Sequence, residues 1–305
     1  VESWTDALAQ APGLSNVVEL AAGWDRSFAI DGEGNVYRWG EGMSVHTSNV
    51  MSGDVATPTL MPPLAGLRSI AAPHDFGLCA LDSAGAPRCR LNGSCVPESL
   101  QMAYSTDYQT VPVSIGTGFE FLVSVENTYC AGKAEGVTCW GYLERGQPAS
   151  EGNDCRVSEP LAIENTAGFR QLIAVKLEFC GLRDNGEVSC WGSPPHCLEG
   201  LPCPEATLVP FVVPELAGAT RIFADGATLC GALPGGLLRC GQRSYSTVSS
   251  TTSPAEWSDV TFPDEVLGLG DTGAIYPTRA VLTADGRLWQ YDGFEISPIE
   301  PPAGF

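Results

Sequence analysis

The stretch CGLRDNGEVSCWG, residues 180–192, decides how this chain is read. Two cysteines bracket an Asp-Asn-Gly turn, and Trp-Gly follows. Short apolar runs on either side of a glycine turn form a β-hairpin, because the glycine supplies the positive φ that the turn requires. Cys180 and Cys190 are symmetric about Asn185, as are Leu182 and Val188. Residues directly opposed in a hairpin share one face of the sheet, so the two cysteines lie within disulfide range.

The pattern recurs. SFAIDGEGNVYRWG (27–40), LCALDSAGAPRCRL (78–91), YCAGKAEGVTCWG (129–141), LCGALPGGLLRCG (229–241) and RAVLTADGRLWQYD (279–292) align with 179–192. The turn glycines are Gly34, Gly85, Gly136, Gly186, Gly236 and Gly286, spaced 51, 51, 50, 50 and 50 residues apart. Six copies at one period mark a repeat architecture. Upstream of the hairpins sits another apolar strand, as in NVVELAAG (16–23), LRSIAAP (67–73), FRQLIAV (169–175) and TRIFADG (220–226). Downstream comes a variable stretch and then a Pro-containing segment, as in TPTLMPPLAGL (57–67) and ATLVPFVVPELAG (206–218). Each unit therefore holds four strands. So small a unit cannot bury both faces alone, and stacking the units in a ring buries them.

The expected fold is all-β, a six-bladed β-propeller forming one domain over 1–305. ESWTDAL (2–8) resembles AEWSDV (255–260), and SPIEPPAGF (297–305) resembles TPTLMPPLAGL, so the two termini are expected to meet in one blade and close the ring. Length alone would have suggested two domains. The turn acids Asp31, Asp184 and Asp285 read as turn formers rather than catalytic groups.

Four hairpins carry paired cysteines: Cys79 with Cys89, Cys130 with Cys139, Cys180 with Cys190, and Cys230 with Cys240. The third pair is one residue closer, so its turn is shorter by one. Closing a loop of about ten residues contributes somewhat under ~3 kcal/mol in the chain-entropy model. Copies one and six carry Phe28/Arg38 and Ala280/Gln290 at these places and hold by packing. Of the remaining four cysteines, Cys197 and Cys203 share one loop, which makes a local bridge the simplest pairing and leaves Cys95 for Cys155; the other two pairings stay open.

Composition narrows the function. Of 305 residues, 36 are acidic and 16 basic, a formal charge of −20, which repels nucleic acid and anionic membranes. There is no apolar run of about 18 residues, so no membrane insertion is expected. Twelve cysteines with no CxxC pair and only three histidines point to disulfides in an oxidising compartment, with no metal or cofactor. The protein is expected to be secreted, periplasmic or at the cell surface, and a monomer as isolated. Nothing at Val1 reads as a signal peptide, so export implies a signal removed from or left off this sequence.

The residues AAGWDRSFAIDGEGNVYRWG (21–40) and TCWGYLERGQ (138–147) resemble the repeat family named for the regulator of chromosome condensation. That unit pairs an apolar strand ending near Ala-Ala-Gly with a Ser/Cys-Ala-Leu…Asp-Gly…Val-Tyr/Cys-Trp-Gly hairpin. The resemblance spans essentially the whole chain and implies a β-propeller; the paired cysteines are similar to exported bacterial members. Copies two, five and six replace Trp-Gly with Arg90-Leu91, Gly241-Gln242 and Tyr291-Asp292, and only His74 approaches the family's histidine after Ala-Ala-Gly. Family members include chromatin-bound exchange factors for small GTPases, which the acidic charge and disulfides do not suit, and an inhibitor of β-lactamases. A plant member senses ultraviolet light through clustered Trp. Here Trp39, Trp140 and Trp191 occupy equivalent hairpin positions and read as blade packing.

Propellers host many functions, so function is read from the loops. The variable stretches 41–56, 92–110, 142–159, 193–205 and 242–256 emerge on the ring face opposite the hairpin turns. They carry Tyr104, Tyr108, Tyr142, Arg145 and His196, side chains suited to anchoring an interface. The expected function is an extracellular binding module for a protein or a glycan. The alternatives are a secreted enzyme inhibitor of the β-lactamase-inhibitor type and a polysaccharide-active enzyme. No acid recurs outside turn positions and neither G-x-S-x-G nor H-E-x-x-H occurs, so no catalytic residue is assigned and the protein is read as a non-enzyme.

Overall fold

The structure, a computed structural model, describes residues 13–22, 26–40, 55–61, 65–71, 78–90, 111–112, 115–125, 128–144, 147–148, 157–175, 178–192, 207–225, 228–242, 257–271, 279–291 and 295–299. These form a six-bladed β-propeller. Among the described residues there is no α-helix, and no helix long and apolar enough to cross a membrane.

Each blade is an antiparallel sheet built from consecutive chain. Blade one comprises β1 (Val17–Ala22), β2 (Arg26–Asp31), β3 (Val36–Gly40) and β4 (Val55–Leu60). Blade two comprises β5 (Leu67–Ala71), β6 (Leu78–Asp82), β7 (Pro87–Arg90) and β8 (Val111–Pro112). Blade three comprises β9 (Phe121–Val125), β10 (Thr128–Lys133), β11 (Gly136–Glu144) and β13 (Val157–Ile163), with β12 (Gln147–Pro148) pairing on the end of β11. Blade four comprises β14 (Phe169–Val175), β15 (Glu178–Arg183), β16 (Val188–Gly192) and β17 (Thr207–Val212). Blade five comprises β18 (Arg221–Asp225), β19 (Thr228–Leu233), β20 (Leu237–Gln242) and β21 (Trp257–Thr261). Blade six comprises β22 (Val266–Asp271), β23 (Arg279–Thr283), β24 (Leu288–Tyr291) and β25 (Ile296–Ile299). Residues 2–8 and 300–305, on which the expected meeting of the termini rests, lie outside the described residues.

The hairpin register agrees with the symmetric reading. Cys180 opposes Cys190 and Leu182 opposes Val188. Cys79 opposes Cys89, Cys130 opposes Cys139 and Cys230 opposes Cys240. All four pairs are disulfide-bonded with Cα atoms 4.0–4.1 Å apart, and no described cysteine is free. In the third copy Lys133 pairs with Gly136, leaving a two-residue turn. In the fourth, Arg183 N–H donates to the Glu187 carbonyl across three residues. The unbridged copies keep the same register, with Phe28 opposite Arg38 and Ala280 opposite Gln290.

The core lies between blades. Alternate residues of each middle strand face the preceding and the following blade. Phe28 and Ile30 pack on Leu67 and Ile70 at the first junction. Leu81 packs near Leu122 and Tyr129 at the second, and Cys130 and Val137 near Phe169 and Leu172 at the third. Leu182 packs near Ile222 at the fourth, and Ala232 near Val266 and Val281 at the fifth.

Candidate binding faces

The two ends of the propeller differ in chemistry. At one end the first five hairpin turns are each tied to the linker that enters the next blade. Gly66 N–H donates to the Gly34 carbonyl at 2.9 Å, Gly168 to Ala134 at 3.0 Å and Gly218 to Gly186 at 3.0 Å. Gly186 has φ +79°, and a Cβ there would lie 2.7 Å from the Gly218 Cα, so turn and linker exclude any larger residue. Strands β3, β7, β16 and β20 run from this end to the other, where 41–54, 91–110, 193–206 and 243–256 follow them. Hairpin turns and variable stretches thus leave opposite faces.

Tyr142 sits on β11, opposite Val157, rather than in a loop. A register shift between Cys139 and Gly141 lets β11 stay paired with β13 while it lengthens, and Leu143 and Glu144 then pair with Pro148 and Gln147. The third variable stretch is accordingly shorter at both ends than 142–159. Tyr104, Tyr108, Arg145 and His196, and likewise Cys95, Cys155, Cys197 and Cys203, lie outside the described residues.

The hairpin strands bury an aromatic layer. Trp140 stacks on Tyr129 with ring centroids 6.0 Å apart, and Trp191 stacks on Phe169 at 5.9 Å and Phe179 at 6.0 Å. Trp140 and Trp191 are fully buried blade-packing residues, as expected. Phe169 lies flat on Gly181, where a Cβ would meet its ring at 2.7 Å. Burial pushes the Tyr129 hydroxyl far above the ordinary phenol range. Blade six places Arg279 and Tyr291 at the positions of Tyr129 and Trp140, and Arg279 makes an ion pair with Asp225 of blade five.

The described turn acids serve the backbone. Asp31 Oδ1 accepts the N–H groups of Glu33 and Asn35, each at 2.9 Å. The Asn35 side chain, more than any other contact, holds the Asp31 carboxyl below its ordinary range. Asp285 accepts the Thr283 hydroxyl and the Arg287 N–H. Asp184 instead stands exposed 3.7 Å from Arg170, and Asn185 accepts the turn N–H of Glu187. Glu178 approaches Cys180 and Cys190, yet the sulfurs of that trio are bonded to each other and are not metal ligands.

The innermost strands carry polar contacts that the repeat pattern did not announce. Glu19 Oε1 accepts the Ile70 N–H at 2.8 Å and the Ser69 hydroxyl at 3.0 Å. Gln171 donates to the Ile222 carbonyl at 2.7 Å and accepts the Ile222 N–H at 3.0 Å. Arg170 donates to the Thr220 carbonyl and Arg68 to the Phe119 carbonyl. An innermost strand has one unpaired edge, and side chains from the preceding blade satisfy part of it. Burial raises the Glu19 carboxyl pKa above its ordinary value, against the lowering effect of the Ile70 and Ser69 hydrogen bonds. The signal in sequence is a polar residue immediately before the leucine in VVELAA and FRQLIAV.

No family model and no curated protein matches the sequence. Solved structures do resemble this fold. Yeast RCC1 (Prp20), in its complex with Kap60, is 15% identical over 94% of this chain and 76% of its own, with a TM-score of 0.62. Human WBSCR16 is 18% identical over 83% of this chain and 69% of its own, with a TM-score of 0.59. YCF48 from Cyanidioschyzon merolae is 9% identical over 95% and 87%, with a TM-score of 0.56. At these identities the likeness establishes the propeller fold. The four cystines, for their part, call for an oxidising environment.

Proposed function

We propose that this chain is an exported propeller of the repeat type named for the regulator of chromosome condensation, forming one domain, and that it binds a protein partner without chemistry of its own. Its place is outside the cytosol: secreted, periplasmic or on the cell surface. The observation that carries the reading is the division of the two ends. One end is spent on turn–linker hydrogen bonds, while the long divergent stretches all leave the other from a stapled scaffold. Loops on a rigid frame carry less ordering cost on binding. Yeast RCC1 is seen bound to Kap60, which illustrates the fold in a protein complex. An inhibitor of a secreted enzyme would be one form of such a binder.

The test is affinity capture from culture supernatant and cell envelope. Replacing Tyr104, Tyr108, Tyr142, Arg145 and His196 with Ala or Ser leaves folding intact and weakens capture at least tenfold, on the order of 1.4 kcal/mol. Undiminished capture by that variant, with loss after changes at the Gly34 or Gly286 turns, would place the site on the opposite face.

A further inference from the structure

The first four junctions between consecutive blades bury the same inner-strand position, which at the fifth, Leu269, is half-buried, and the pattern continues into two faces without a counterpart among the described residues. In blades two to five the inner-strand residue facing the preceding blade is buried: Ile70 is 4% exposed, Leu122 6%, Leu172 5% and Ile222 0%. Its equivalent in blade one is Leu20, paired with Ala29 as Ile70 is with Ala80, and Leu20 is 68% exposed. The middle-strand residue facing the following blade is buried in the same way, with Ile30 at 1%, Leu81 at 0% and Leu182 at 0%. Its equivalent in blade six is Leu282, at 37%. Val281 and Tyr291 pack towards blade five, so Leu282 and the opposed Leu288 turn the other way, towards blade one. Among the described residues no hydrophobic cluster joins blade six to blade one.

Two independent features mark the same place. The blades flanking this seam are the two without a cystine. Blade six also offers Gly268, opposite Leu282, where blades one and four offer the inter-blade hydrogen-bonding residues Glu19 and Gln171. Both walls are uncharged at these positions in a chain of formal charge −20. An occupant that continues the established interfaces has sheet structure and two apolar faces, one for Leu20 and one for Leu282.

We propose that the seam between blade six and blade one is a docking groove for a β-hairpin of a partner protein, apolar on both faces, which packs as an added blade. This rests on the reading of the protein as a protein-binding module, but uses a different surface from the loop face. Stacked sheets lie about 10 Å apart, so a groove that admits one sheet holds its walls about 20 Å apart.

The experiment has two arms on the full chain. In the first, spin labels at positions 20 and 282, attached through a non-cysteine handle, report the wall separation by pulsed dipolar spectroscopy. In the second, a fluorescent, cystine-closed hairpin peptide of sequence 228–242, whose two faces pack on both neighbouring blades in the parent, is titrated. The expected results are a separation near 20 Å, saturable peptide binding, and at least tenfold weaker binding after Leu20→Glu with Leu282→Glu. Both residues are exposed, so that variant folds, and near-ultraviolet dichroism checks it. A separation near 10 Å with and without peptide means that the two blades pack directly, and overturns the proposal while leaving the loop-face reading untouched. No saturation at millimolar peptide, or binding that the Glu variant leaves unchanged, also overturns it. So does tenfold tighter peptide binding after removal of residues 1–12, which would assign the groove to the chain's own segment.

Discussion

Gln171 of blade four holds Ile222 of blade five by both ends of its amide, donating to the carbonyl at 2.7 Å and accepting the N–H at 3.0 Å. The two residues are 51 positions apart, one repeat of the chain. Gln171→Ala removes both bonds and leaves a donor and an acceptor on a partly buried strand edge. The expected loss is about 1–3 kcal/mol, read as a lower urea midpoint with an unchanged slope.

Glu19 does half of the same work with a charged group. Its folded-state pKa is raised, chiefly by burial, so the folded protein holds the Glu19 proton more tightly than the unfolded chain does. The stabilising contribution is present at pH below the ordinary glutamate value and is lost as pH rises through that value to the raised one. Glu19→Gln keeps an oxygen for the Ile70 N–H and carries no charge. It is expected to match the parent in stability at acidic pH and to exceed it at pH 7. Urea denaturation across pH 3.5–7.5 checks this; a gap that narrows as pH rises contradicts it.

Tyr129 buries its hydroxyl without a hydrogen-bond partner among the described residues, while its ring stacks on Trp140. A buried, unmet polar group costs about 1–3 kcal/mol. Tyr129→Phe keeps the ring and removes the oxygen, so stability should rise by about 1 kcal/mol in thermal or urea unfolding. A loss would mean that the hydroxyl has a partner in solution.

Ala280 and Gln290 face each other as the cysteines do in the four stapled hairpins. Ala280→Cys with Gln290→Cys should therefore form a further cystine spontaneously on oxidation, seen as a two-dalton mass loss. It should raise stability by up to about 3 kcal/mol, less any strain. The same pair moved one residue along, Val281→Cys with Gln290→Cys, should stay reduced, because neighbouring residues point to opposite faces.

Much of the fold was legible because the repeat is local. A glycine turn, the symmetric cysteines and alternating apolar residues determine a hairpin within a dozen positions, and Cys180 opposite Cys190 follows from counting. Contacts between blades are not local. Glu19 touching Ile70 left only a trace, a polar residue inside an apolar strand. Leu20 and Leu282 carry the same apolar signature as their buried equivalents, so at these positions only solvent exposure sets the two apart. The sequence places Tyr142 in a loop because nothing in GYLERGQP reveals that a register shift keeps β11 paired through Glu144. The remaining proposed anchors fall on stretches with no periodicity to read.

The cystines enclose hairpins, with sequence separations of only 9 or 10 residues. This makes the chain's oxidation a matter of order of appearance. The eight hairpin cysteines alone permit 105 pairings, but a loop of about ten residues closes in about 10–100 ns. As a chain emerges end first from a ribosome or a translocation pore, each native partner follows the previous cysteine by a few seconds or less, at about 5–20 residues per second. The next repeat's cysteines are still inside. Each staple can therefore be set before the next hairpin's cysteines appear, so the direction of synthesis favours pairing within a hairpin over pairing between hairpins.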